Sequence, residues 1–183
     1  MKMKIAVHLA EGFEEIEAIS IIDVLRRAGL EVITVSVAND LKVTGSHQIQ
    51  VVADQPFDDV NYDLIDMIVL PGGMPGTKNL NNNTGLKKQI ECFYRTGKYL
   101  GAICAAPLVF GELGILKGKK ATCYPGFEGY LHGAEITEAA FEVAGNIITG
   151  KSAGVAITFA IKIVEMLLGP ESAKQLVEKM IFQ

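Results

Sequence analysis

The sequence carries no surplus of positive charge: 17 Lys and Arg stand against 21 Asp and Glu, for a formal net charge of -4 over 183 residues. Its densest basic features are short pairs such as Lys119-Lys120, so no patch exists to neutralise a phosphate backbone, and nucleic acid is not an expected partner. Long apolar runs are missing as well. The most hydrophobic helical stretch, Gly154 to Leu168, is interrupted by Lys162 and Glu165, so no spanning helix and no membrane partner are expected. The start, Met1-Lys2-Met3-Lys4, has a faint signal-like charge, but the apolar stretch Ile5 to Ala10 meets Glu11 before it reaches signal-core length, which predicts a cytoplasmic location. Cysteine is scarce. Cys92, Cys104 and Cys123 form an odd set without a C-x-x-C pair, and no histidine stands at metal-ligand spacing, which argues against a disulfide scaffold and a structural zinc. Neither metal nor cofactor is expected. Repeats, linkers and low-complexity tracts are also absent.

What is present is a globular composition, 49% hydrophobic and 21% charged. A single domain over residues 1–183 buries roughly 70% of the surface its unfolded chain exposes. Short β-rich runs alternate with helical patterns, which predicts an α/β fold, a mostly parallel sheet covered by helices on both faces. The strands expected are Lys4 to Leu9, Glu31 to Val37, Leu64 to Leu70, Lys98 to Ile103, Lys120 to Tyr124 and Ile147 to Thr149. A side hairpin is expected over Lys42 to Ala53, and Phe141 to Ala144 is expected to pair with Ile147 to Thr149 across Gly145-Asn146. Helices are expected at Glu14 to Ala28, Thr84 to Arg95 and Ala105 to Leu113, each followed by a glycine that supplies the left-handed residue ending a helix. Two more, Gly154 to Leu168 and Glu171 to Ile181, close the chain. In the first of these Thr158, Lys162 and Glu165 form one narrow polar stripe, so its excess apolar surface predicts a homodimer through this or a neighbouring helix.

In an open parallel sheet ligands bind at the carboxyl ends of the strands, where four loops converge here. Cys104 sits at one of these ends, in Gly101-Ala102-Ile103-Cys104-Ala105-Ala106-Pro107, with small residues two positions either side as a nucleophile elbow requires. A thiol entering a helix at once is expected to have a depressed pKa. Glu17 lies one turn into the first helix, among Ile16, Ala18 and Ile19, where desolvation would raise its pKa and let it donate a hydrogen bond to the Cys104 sulfur. Glu14 and Glu15 read as simple complements to the helix dipole. Backbone N–H groups in Gly72-Gly73, together with that of Ala105, are candidates for an oxyanion hole. Burial as an inert filler is the competing reading of Cys104, and the elbow pattern and convergent loops outweigh it.

Gly145-Asn146-Ile147-Ile148-Thr149-Gly150-Lys151-Ser152 matches G-x-x-x-x-G-K-[ST] literally. Its β-branched centre reads as a strand rather than a phosphate-cradling loop, so nucleotide binding is not expected.

Glu14-Glu15-Ile16-Glu17, Leu70-Pro71-Gly72-Gly73, Ala102-Ile103-Cys104-Ala105-Ala106-Pro107 and Thr158-Phe159-Ala160 together resemble the DJ-1/ThiJ/PfpI superfamily, nearly end to end, in the branch of the parkinsonism-associated deglycase and its bacterial relatives. The resemblance implies a flavodoxin-like three-layer sandwich, a homodimer, a reactive Cys104, and a Glu17 that stabilises its thiolate or sulfinate. It also implies backbone contacts from Gly73 and Ala105, and cofactor-free activities: glyoxalase, deglycation of proteins, oxidative-stress sensing, chaperone-like protection. Three departures narrow it. Tyr124 stands where many relatives have a histidine before the proline, Ala105 where the protease-like branch has a histidine after the cysteine, and His47 where relatives have an arginine reaching a neighbouring subunit's site. Tyr124, His47 and Arg27 are therefore supporting candidates. His8 reads as a core residue, His132 as solvated, Cys123 as facing inward and Cys92 as peripheral. Without a Cys-His dyad, amidase or peptidase chemistry is disfavoured. Two readings stay open: a Cys104/Glu17 enzyme acting on reactive aldehydes such as methylglyoxal or on glycated groups, and a non-catalytic redox sensor or protein-protecting module in which Cys104 is oxidised.

Overall fold

Strand β1 (Lys4–Leu9) is followed by helix α1 (Glu15–Arg27), β2 (Glu31–Ser36), the hairpin strands β3 (Lys42–Thr44) and β4 (Gln50–Val52), and the short β5 (Gln55–Pro56) in the computed structural model, which describes residues 2–38 and 40–182. Then come β6 (Met67–Leu70), α2 (Gly76–Asn82), α3 (Thr84–Thr96), β7 (Tyr99–Ile103), α4 (Pro107–Glu112), β8 (Lys120–Ala121) and β9 (Glu135–Ile136). The chain closes with β10 (Phe141–Ala144), β11 (Ile147–Gly150), α5 (Ala156–Leu168) and α6 (Pro170–Met180). Seven strands form one sheet in the order β10-β11-β7-β6-β1-β2-β5, in which only β10 runs antiparallel.

Alternation along the strands builds two cores. Ile5, Val7 and Leu9 of β1 face α1, α5 and α6, against Ile21, Leu25 and Phe159, while Ala6 of β1, Leu70 of β6 and Leu100 of β7 face α3 and α4. The result is a flavodoxin-like three-layer α/β sandwich. Because β2 lies on one side of β1 and β6 on the other, the loops after β1 and β6 diverge, and the crevice between them is the switch point of the sheet.

Several expected elements differ. The run Lys120 to Tyr124 does not join the main sheet: only Lys120–Ala121 is strand, paired with β9. The Thr122 N–H donates instead to Thr149 Oγ1 at 3.0 Å and the Tyr124 N–H to the Cys104 carbonyl at 2.8 Å, so the backbone is satisfied outside a ladder. Leu64 ends a 3₁₀ turn capped by Asn61, which delays β6 to Met67. The helix expected from Ala105 starts only at Pro107, because Cys104 takes φ +64° and the chain needs a turn before it can wind. Helix α5 starts at Ala156 after a 3₁₀ turn, and α2 was not anticipated. The side hairpin, the β10–β11 pairing and the glycine stops after α1, α3 and α4 match expectation, with φ of +82°, +75° and +70° at Gly29, Gly97 and Gly114. Ile147–Gly150 is a strand, as expected for the phosphate-loop lookalike. Helix α5 buries Phe159, Ala160, Ile163 and Val164 against α1 and α6 and leaves Ile157, Ile161, Met166, Leu167 and Leu168 partly exposed, while α1 exposes Ile16 and Ile19. Among the described residues no helix is long and apolar enough to cross a membrane.

Candidate functional site

Cys104 ends β7 in the left-handed region, φ +64°, a conformation that costs a non-glycine residue of the order of 1–3 kcal/mol and marks a residue held in place by its surroundings. The holding groups are backbone. Cys104 N–H donates to the Gly150 carbonyl at 2.9 Å, and its own carbonyl accepts from Tyr124. Glycine at position 72 is required for close approach: a Cβ there would lie 2.6 Å from Cys104 Cβ and 2.8 Å from Glu17 Oε2.

Glu17 comes from the other wall of the crevice. The Glu14 carboxylate caps α1 by accepting from the Glu17 N–H at 2.7 Å, and the Glu14 N–H donates to the Gly72 carbonyl at 2.9 Å, which ties the helix start to the β6 loop. Glu17 is fully buried, and its Oε2 accepts the Gly72 N–H at 2.7 Å. Its carboxyl group lies close enough to the Cys104 thiol for each to shift the other's pKa, while Oε1 is buried without a hydrogen-bond partner. Burial pushes Glu17 up to about 7, against the lowering effect of its bond to Gly72 and of the Cys104 thiol and with a smaller push from the Glu14 charge. Of its sequence neighbours, Ile16 and Ile19 point outward, and Glu17 faces in with Ala18, Ile21 and Val24.

The expectation for the thiol is overturned. Burial, then the charge of Glu17 and the closeness of its carboxyl group, push Cys104 up to about 12. Helix α4 is six residues long and begins three positions after Cys104, so the dipole effect that would have lowered the pKa is not delivered. The backbone N–H groups of Gly73 and Ala105 act on the sulfur in the opposite sense to burial and lower its pKa. The Gly72 N–H belongs to Glu17 instead.

The supporting candidates separate. Tyr124 meets Cys104 through its backbone, while its half-exposed ring packs edge-on against Phe127 at 6.5 Å. Arg27 is not at the site: it stands in the last turn of α1, ten residues and about 15 Å along the axis from Glu17, paired with Asp23. His47 is not at the thiol either. Its Nδ1 lies 2.9 Å from Glu15 Oε2, and that bond, with the Glu15 charge, raises its pKa. Glu15 is therefore more than a dipole complement. It is buried and accepts the N–H groups of His47 at 2.6 Å and Ile49 at 3.3 Å, which fastens the β3–β4 turn to α1. Burial alone would raise its pKa, but the His47 side chain and these amides outweigh burial and lower it. Sequence reasoning missed this role because the partners lie more than thirty residues away. His8 is in the core with Nε2 2.7 Å from the Tyr62 hydroxyl, His132 is exposed, Cys123 is buried and Cys92 exposed.

Against known proteins, residues 3–166 match the model of the DJ-1/PfpI family. Protein DJ-1 homolog B of Arabidopsis thaliana is 42% identical over 93% of this chain, which spans 39% of that relative, so the chain is about two fifths the length of that protein. The glutathione-independent glyoxalase DJR-1.2 of Caenorhabditis elegans is 33% identical over 92% of this chain and 90% of its own. The structure of oxidized Toxoplasma gondii DJ-1 superposes with a TM-score of 0.94 at 36% identity, covering 98% of both chains.

Proposed function

The chain belongs to the DJ-1/PfpI family, and from that premise we propose that it is a cofactor-free glyoxalase or deglycase-type enzyme acting on reactive aldehydes or glycated groups through Cys104 and Glu17. The observation that carries this reading is a half-buried thiol beside a fully buried carboxyl group, the latter poised at about 7, near the value a proton shuttle needs at neutral pH. Glu17 takes the thiol proton as sulfur attacks the aldehyde carbon of methylglyoxal. Glu17 then gives that proton to the carbonyl oxygen, which faces the Gly73 and Ala105 amides, and the product is a hemithioacetal. Glu17 next takes the C1 proton and returns it to C2 while the O1 proton passes to O2, leaving a lactoyl thioester, and water cleaves it to lactate and free thiol. A high thiol pKa is no obstacle in this scheme, because the base stands beside the thiol whose proton it removes.

The test is methylglyoxal consumption by the wild type and Cys104→Ala. Loss of activity in the variant is expected, and equal consumption by both proteins overturns the reading. The similarity to an oxidized relative favours a second reading, a redox sensor in which sulfinate at Cys104 is held by protonated Glu17. Mass spectrometry after mild peroxide tests it, and oxidation falling on Cys92 or Cys123 instead counts against it. No histidine among the described residues contacts Cys104, which disfavours the peptidase reading. A homodimer is part of the proposal, supported by Ile16 and Ile19, which are 59% and 44% exposed on α1 beside Ile49 at 57%. A monomeric mass by light scattering at micromolar concentration would refute it.

A further inference from the structure

We propose that Glu14, Glu15 and His47 form a binding site for a divalent first-row transition metal, with zinc the first choice. Their ligating atoms all lie within 4.8 Å of one another, with His47 Nδ1 at 2.9 Å from Glu15 Oε2 and 3.9 Å from Glu14 Oε1. Ligands 2.0–2.1 Å from a tetrahedral zinc stand about 3.3 Å apart, so these separations bracket what the ion requires. The donor set, two carboxylates and one imidazole, is a mixed nitrogen–oxygen set that suits zinc better than calcium or magnesium.

Each of the two carboxylates is held through the oxygen that does not converge on the imidazole. Glu14 spends Oε2 on the Glu17 amide, and Oε1 is left facing the imidazole. Glu15 spends Oε1 on the amides of His47 and Ile49, and Oε2 is left facing the same nitrogen. The Ser46 hydroxyl lies 3.2 Å from both Glu15 Oε2 and His47 Nδ1, so it bridges two of the converging atoms and must turn away from Nδ1 when an ion binds. Glycine at position 45 makes room for this carboxylate, since a Cβ there would fall 2.2 Å from Glu15 Oε1. The His47 side chain is 70% exposed, so an ion can enter and water can complete its coordination, as in three-ligand zinc sites. On binding, zinc replaces the proton now shared between Nδ1 and Oε2, and that proton leaves to solvent.

The experiment titrates zinc chloride into the Cys104→Ala protein by calorimetry, so that no thiolate at that position contributes, and repeats it with His47→Ala and with Glu14→Gln added. One zinc per chain is expected in the parent, with affinity reduced at least about tenfold by either addition. Unchanged affinity in both additions overturns the proposal, as does the absence of binding in Cys104→Ala. Thermal unfolding of each variant shows that it is folded. Cobalt substitution in the wild type gives an independent reading: visible bands of a tetrahedral nitrogen–oxygen site support the assignment, and a thiolate charge-transfer band sends the ion to Cys104 and overturns it.

Discussion

Glu15 and Glu17 stand two residues apart in the first turn of one helix, both buried, and the structure treats them in opposite ways. The Glu15 carboxylate meets amides and an imidazole from the β3–β4 turn, and its pKa is lowered. Glu17 points to the opposite side, toward Gly72 and a thiol, and is pushed up to about 7. Burial acts upward on both. What separates them is depth as well as donors: Glu17 is the more deeply buried, and several donors reach Glu15 against one amide and the neighbouring thiol for Glu17. The first becomes a fastening, held as an anion, and the second a group that can give and take a proton. Environment, not residue type or helix position, assigns the role.

The largest effect that tests this contrast is on turnover. Glu17→Gln keeps an acceptor for the Gly72 N–H but cannot carry a proton, so kcat/KM for methylglyoxal is expected to fall about 10²- to 10⁴-fold. The same change removes two causes that raise the thiol, so Cys104 should titrate at lower pH than in the wild type, followed by thiolate absorbance near 240 nm. An easier thiolate with less activity identifies Glu17 as the shuttle. Unchanged or higher activity would make it a mere obstacle to deprotonation.

A second effect lies in stability. A carboxyl group raised from 4.5 to about 7 binds more protons folded than unfolded between those values, so its contribution to stability grows as pH falls through 7 and is complete near 4.5. Over that window the wild type should gain up to about 3 kcal/mol relative to Glu17→Gln in urea unfolding with chelator present. Buried His8, lowered to about 3 chiefly by burial, works the other way below 6.5, but it is present in both proteins and cancels in the difference. A flat difference between pH 8 and pH 5 would remove the basis for placing Glu17 near neutrality.

The contrast was half visible in the sequence. The α/β alternation, the elbow pattern around Cys104 and the glycine stops follow from local patterns, and they matched because each depends on residues close in the chain. Glu17 was found among its sequence neighbours Ile16 and Ile19, although the informative pattern was Glu17, Ile21 and Val24 on one helical face. The thiol pKa was misread because Cys104 adopts positive φ and a turn intervenes before α4, which no propensity of Ala105 or Ala106 announces. Lys120 to Tyr124 has strand composition, yet one hydroxyl, that of Thr149, takes the amide a ladder would have used. Glu15 is illegible because, its own backbone N–H apart, everything that lowers its pKa comes from His47 and Ile49.

That long-range origin makes Glu15 the site of the smallest prediction. Glu15→Gln leaves Oε1 able to accept from His47 and Ile49 but replaces the charged partner of the imidazole with a neutral one. The loss should be confined to charge-assisted bonds, about 1–2 kcal/mol of stability by urea unfolding at pH 7 with chelator present. The folded pKa of Glu15 is lowered, so its contribution is present above 4.5 and fades as pH falls below it; the wild type and the variant should therefore converge in stability in acid. Turnover should stay within a few-fold of wild type, since no atom of Glu15 meets the thiol. A loss of activity as large as that of Glu17→Gln, in a variant still folded by circular dichroism, would mean that the fastening and the shuttle are one unit and would erase the distinction between the two glutamates.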